Sequence, residues 1–274
     1  MTAEFFAAYD SLLARWGVPT ESIEVEGEFG VTRVNACGAV DAPPLVLLAG
    51  YGAGGSPAWF GVAPQLAQYR RVFAVDLVGD AGRSAGRVGS QAELHRWLGG
   101  VLDGLGVERA DFCGHSYGAW VSLSYALQSP GRVGKLALLD PTDCFTGLSP
   151  SYIARALPML LRPTPERVRS FLRWETRGIY VDPDWLDLAA LAAEFPAAGP
   201  VRPRRPDLKS QDLEAELLVV VAGRSRTHDP ERLIRRMGAS APQARVVRLP
   251  AASHHSIPAG HAEELAGTLE KFLR

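Results

Sequence analysis

The sequence predicts an α/β protein built on an open, mostly parallel sheet covered by helices on both faces. Three observations carry that expectation. Short β-branched or apolar runs alternate with longer helical patterns over most of the chain. The later runs lack the apolar/polar alternation of half-exposed strands, as strands buried on both faces do. The stretch from Asp143 to Leu213, rich in proline, arginine and tryptophan, breaks the alternation and holds no clear strand. An α/β fold with one such insertion fills 274 residues around one core.

In chain order, "EFFAAYDSLLARW" sets Phe5, Tyr9, Leu12, Leu13 and Trp16 on one helical face, which suits docking on the body or a contact between subunits. Eight strands are expected, near Ile23 to Glu26, Val31 to Ala36, Leu45 to Ala49, Val72 to Val75, Ala110 to Cys113, Leu136 to Leu139, Leu217 to Ala222 and Val246 to Leu249. Helices are expected near Ala58 to Gln68, Gln91 to Leu105, Tyr117 to Gln128, Glu231 to Met237 and Ala262 to Leu273. The break follows the sixth strand. Its helical stretches "PERVRSFLRW" and "DWLDLAALAAEF" and its polar end "GPVRPRRPDLKSQD" read as a helical lid, residues 143–213, set into a core of residues 1–142 and 214–274.

Charge and cysteine usage narrow the function classes. With 29 basic and 30 acidic residues the chain carries no large basic field for nucleic acid or an anionic membrane, so a small, weakly charged ligand fits better. Cys37, Cys113 and Cys144 form an odd set without C-x-x-C spacing, which supports neither a disulfide framework nor a zinc site and points to a reducing, cytoplasmic setting. The first residues lack a basic segment followed by a continuous apolar one, so no signal peptide is expected, and no apolar run approaches the roughly 18 residues of a membrane span. No cofactor is implied. A monomer or a homodimer is equally compatible with the sequence.

Two motifs sit at strand ends. "PLVLLAGYGAGGSPAWF" spells G-x-G-x-x-G with Gly50, Gly52 and Gly55, and Asp76 closes the next apolar run where a dinucleotide fold keeps its ribose acid; three glycines alone are a weak signal. "GHSYG", Gly114 to Gly118, lies between the strand "ADFC" and the helix beginning "AWVSLSYAL". A serine on that turn takes strained backbone angles, its flanking glycines leave room for the bend, and its hydroxyl is presented above the sheet. The helix N-terminus behind Ser116 adds positive potential where an oxyanion would form.

With these features the whole chain resembles the α/β-hydrolase family, in particular its small carboxylesterase-like members with a helical cap. The resemblance rests on the glycine loop after the third strand, "DLVGDAGRS" after the fourth, the serine turn after the fifth, the insertion after the sixth and "PAASHHS" near the C-terminal end. It implies a serine hydrolase acting on a carboxylic ester or related acyl compound through an acyl-enzyme. It also implies that the backbone N–H groups of Tyr51 and Tyr117 form the oxyanion hole, with Ala49 standing where a histidine is common. His254 falls at the family spacing of the base, and the neighbouring His255 is the alternative, otherwise a loop or pocket-wall residue. His95, His228 and His261 match no motif and read as surface or capping residues, and His115 as packing behind the serine.

The acid departs from the family pattern, because Arg226 stands three residues after Gly223, where an aspartate or glutamate is usual. Asp140, at the end of the sixth strand, and Asp229, further along the usual loop, are the two substitutes. Asp229 also suits a helix N-cap before Pro230. Phe145, Phe171, Trp174, Trp185 and Phe195 are candidates to roof an apolar pocket. Two rival functions remain: an acyltransferase, cyclase or lyase on the same fold, and a ligand-binding pseudo-hydrolase.

Overall fold

The computed structural model describes residues 2–208 and 213–274. Residues 209–212, within the polar end of the expected lid, lie outside the described residues. The chain opens with helix α1 (Thr2–Ala14), then an antiparallel hairpin of β1 (Thr20–Gly27) and β2 (Gly30–Cys37). β3 (Pro44–Leu48), the short α2 (Ala63–Leu66) and β4 (Arg71–Val75) follow, with β5 (Ala85–Gly86), α3 (Gln91–Gly104), β6 (Ala110–His115), α4 (Tyr117–Gln128) and β7 (Val133–Leu139) after them. Three helices come next, α5 (Pro150–Leu161), α6 (Pro165–Thr176) and α7 (Pro183–Leu191). β8 (Glu216–Ala222), α8 (Pro230–Ser240), β9 (Arg245–Leu249), α9 (Ser256–Gly260) and α10 (Ala262–Leu273) complete the chain.

The eight expected strands lie in one sheet, in the order β1-β2-β4-β3-β6-β7-β8-β9, parallel from β4 to β9. The two-residue β5, which the sequence did not betray, pairs with β2. Along β3 the side chains divide between two cores: Leu45 and Leu47 face the layer of α1, α2 and α10, whereas Val46 and Leu48 face α3, α4 and α8. Burial on both faces explains why this strand is apolar throughout. After β3 the chain steps to one side to make β4 and returns to the other to make β6. Such a reversal opens a crevice beyond the C-terminal ends of β3 and β6, where open α/β sheets bind ligands.

The expected apolar face of α1 docks on the body. Phe5, Tyr9, Leu12 and Trp16 are buried, and the Tyr9 hydroxyl donates to Asp76 Oδ2 at 2.9 Å. Asp76 also accepts the amides of Ser56 and Arg83, each at 2.7 Å. This carboxylate ties the N-terminal helix to two loops, an internal role in place of the ribose contact that the glycine pattern allowed.

The segment between β7 and β8 uses its prolines as helix starts. Pro150, Pro165 and Pro183 each occupy the first helical position behind a capping residue, Ser149, Thr164 or Asp182, whose side chain accepts an amide of the first turn. Arg15 at the end of α1 bonds Asp182 and Asp184 at 2.6–2.7 Å, fastening α7 to the N-terminal helix. Among the described residues, no helix is long and apolar enough to cross a membrane.

Candidate active site

β6 delivers Ser116 at φ 54°, ψ −115°, immediately before the first residue of α4. The glycines on either side are sterically required. A methyl group on Gly114 would strike the Gly118 carbonyl, and one on Gly118 would strike the Leu48 carbonyl of β3. The strained serine is therefore held by the close approach of strand and helix.

Ser116 Oγ lies 2.9 Å from His254 Nε2, and His254 Nδ1 lies 2.7 Å from Asp140 Oδ2. Of the two candidate acids, the structure thus brings Asp140 to the histidine. Asp140 directly follows β7 with φ 40° and is fully buried. Its carboxylate also accepts the Ala222 amide at 3.0 Å and the Ser225 hydroxyl at 2.8 Å, and it meets His228 Nε2 at 3.1 Å. Asp229 is an exposed N-cap that accepts the Arg232 amide at 3.0 Å. Arg226 stacks on the helical segment instead, its guanidinium 4.5 Å over the Trp174 ring.

Burial alone would raise the Asp140 carboxyl, but the charge and hydrogen bonds of His228 and His254 hold it well below the usual range. Burial is also the largest influence on His254 and lowers it, with Asp140 opposing. For His228 the pull of Asp140 outweighs burial, and its pKa is raised. His228 is thus a correction to the expected surface or capping role: it is buried and faces the Asp140 carboxylate. The signal available in the sequence was its position in the loop after β8, where the family keeps its acid.

The histidine is fixed from both sides of its backbone. Its carbonyl meets His115 Nε2 at 3.0 Å, and its amide donates to Glu175 Oε1 at 3.1 Å. Glu175, on α6, also accepts the Ser253 hydroxyl at 3.1 Å, the His255 amide at 3.2 Å and His255 Nδ1 at 3.0 Å. Burial opposes its ionisation, but His255 and these donors hold it down at about 2. The sequence reading missed Glu175, although a lone glutamate on the apolar face formed by Phe171, Leu172 and Thr176 was visible.

The loop after β3 passes over Ser116, since a Cβ on Gly50 would sit 3.2 Å from Ser116 Cβ. This brings Tyr51 beside Ser116 on the cavity wall, while the Tyr117 amide is the first of α4. Asp80, within "DLVGDAGRS", grips that loop by accepting the Gly52 amide at 3.0–3.1 Å and the Ala81 amide at 2.7 Å. Burial pushes its carboxyl up to about 7, against the pull of those amides.

A cavity of about 390 Å³ opens above Ser116, walled on the helical side by Tyr152, Met159, Phe171, Leu172, Trp185 and Phe195. Of the five candidate pocket aromatics, Phe171, Trp185 and Phe195 line it. Phe145 and Trp174 do not: Phe145 packs into the core on the α4 face of the sheet, and Trp174 is spent beneath Arg226. The three cysteines are buried and free. Among the described residues, no group of three or more His, Cys, Asp or Glu is disposed to hold a metal ion.

A serine on a strand-to-helix turn, a histidine after the last strand and a mostly parallel sheet define a class, and the match of residues 45–268 to the alpha/beta hydrolase family states it: the chain belongs to that family. Within it, the chain is 31% identical over 179 residues to carboxylesterase YbfK of Bacillus subtilis, a stretch covering 64% of this chain and 59% of that relative. In structure it resembles carboxylesterase CesB (YbfK) from Bacillus subtilis, with a TM-score of 0.90, 24% identity and coverage of 99% and 98% of the two chains. The naproxen esterase from the same organism gives a TM-score of 0.87 at 24% identity, covering 98% and 97%.

Proposed function

We propose that the protein hydrolyses carboxylic esters through an acyl-enzyme on Ser116. The observation that carries this reading is the unbroken relay from Ser116 Oγ through His254 to the Asp140 carboxylate. Ser116 attacks the ester carbonyl while His254 takes its proton, and His254 then protonates the departing alcohol. Asp140 holds the imidazole with Nδ1–H toward itself, leaving Nε2 as the base. The Tyr51 and Tyr117 amides receive the oxyanion. Water, deprotonated by the same histidine, then releases the acid. Residues 143–213 act as the cap over a core of residues 1–142 and 214–274, and their apolar side chains take the acyl group and exclude water. Buried free cysteines suit a cytoplasmic protein acting on small molecules, without a cofactor.

Short-chain 4-nitrophenyl esters test this directly. A burst of one nitrophenolate per active site, followed by slower turnover, is expected; absence of hydrolysis on any such ester overturns the reading. The base must be neutral to act, and burial lowers His254. The acid limb of kcat/KM is therefore expected below the ordinary histidine value of about 6.5. Any further inflection near 7 belongs to Asp80 and vanishes in Asp80→Asn, while the lower limb stays.

A further inference from the structure

Most polar side chains on the cavity wall are already occupied. His115 Nε2 meets the His254 carbonyl, and the Asp80 oxygens hold the amides of residues 52 and 81. His255 differs. It lines the cavity with its Nδ1 committed to Glu175 at 3.0 Å, and its Nε2 has no hydrogen-bond partner among the described residues. The ring is held on three further sides. Phe171 packs edge-on at 6.0 Å, Trp185 lies at 6.4 Å, and the His254 ring stands 4.8 Å away at 81°. A buried carboxylate, four of whose hydrogen bonds go to residues 253–255, thus fixes both the tautomer and the orientation of a second imidazole beside the reacting serine.

Resting on the ester-hydrolase reading, we propose that His255 Nε2 is a specificity-determining contact for a hydroxyl group on the acyl part of the substrate, a few bonds from the reacting carbonyl. With Nδ1–H bound to Glu175, neutral His255 presents a lone pair at Nε2 and protonated His255 presents an N–H. A hydroxyl satisfies either form, since it both donates and accepts, whereas a ketone or ether oxygen satisfies only one. Phe171 and Trp185 flank the ring, so an acyl chain without a hydroxyl covers Nε2 without pairing it, and that omission discriminates more strongly than an added methylene would. The short separation of the two imidazoles limits the hydroxyl to positions such as C2 or C3 of the acyl chain.

The test compares 4-nitrophenyl 3-hydroxybutanoate with its isostere, 4-nitrophenyl 3-methylbutanoate, in wild type and in His255→Asn. Asparagine reaches the Nδ1 position and keeps a donor for Glu175, but places nothing at Nε2. Dividing the wild-type ratio of kcat/KM values by the variant's cancels the intrinsic reactivity of the two esters. The hydroxy ester is expected to lose about tenfold relative to the methyl ester, and His255→Gln, whose amide reaches the Nε2 position, to recover part of that loss. An unchanged ratio overturns the proposal, whether both rates persist or both fall. Product inhibition of the wild type gives a reading independent of any variant's folding. 3-Hydroxybutanoate is expected to inhibit more tightly than 3-methylbutanoate, and weaker inhibition by the hydroxy acid overturns the proposal as well. Failure to turn over either ester would strike down the hydrolase reading itself, and this inference with it.

Discussion

Replacing Ser116 with alanine is expected to abolish labelling by a fluorophosphonate and to remove ester turnover to within the residual that oxyanion donors and binding alone provide, roughly 10³–10⁴-fold over water. The reagent mimics an acyl substrate and stays attached to the oxygen that attacks it, so mass spectrometry of the labelled wild type should place the adduct on Ser116. The substitution removes one atom from a turn whose shape is set by the glycine contacts with β3 and α4, so the fold should be retained. Undiminished labelling of Ser116→Ala would show that the nucleophile lies elsewhere.

Asp140→Asn is expected to lower kcat by up to about 10⁴-fold, or about 5 kcal/mol in the barrier. The amide keeps the shape of the site. It can, however, offer an N–H where Nδ1 needs an acceptor, which favours the tautomer with Nε2 protonated and useless as a base. Loss of the charge also leaves His228 facing a neutral group, so part of the effect should appear as a lower melting temperature, measured alongside the kinetics. Asp229→Asn should cost little, because that carboxylate caps α8 at the surface and asparagine caps nearly as well. The reverse order of the two variants would transfer the role to Asp229.

The sequence disclosed those parts of the site that are local. G-x-S-x-G is a steric instruction, and the contacts of Gly114 and Gly118 are those that the motif needs. The central strands were legible because a strand buried on both faces is apolar along its length, as β3 is. Prolines misled in part. They marked the region after β7 as irregular, yet Pro150, Pro165 and Pro183 each start a helix behind a capping side chain, and α5 passed unread. Phe145 shows a second limit, since an aromatic residue near a pocket in sequence carries no sign of which face of the sheet it will reach, and Trp174 a third, since on α6 beside Phe171 it turns to Arg226 instead of the cavity. His228 and Glu175 were invisible as partners for a plainer reason. Their hydrogen bonds span 88 and about 80 residues and exist only once the sheet has brought the strand ends together.

The position of Glu175 has a consequence for the timing of catalysis. Its carboxylate is rooted in α6 and grips the backbone of His254, so in the proposed cap this helix cannot swing aside as a free flap. Lifting α6 would strip four donors from a buried anion, at a cost of about 3–5 kcal/mol, and would slacken His254 in the same movement. A gaping enzyme would therefore be a silent one. Small substrates should instead slip past the rim, where Leu160 both borders the cavity and faces solvent. Bulky ones should wait for the roof to lift and settle again, so that admission rather than chemistry sets their pace.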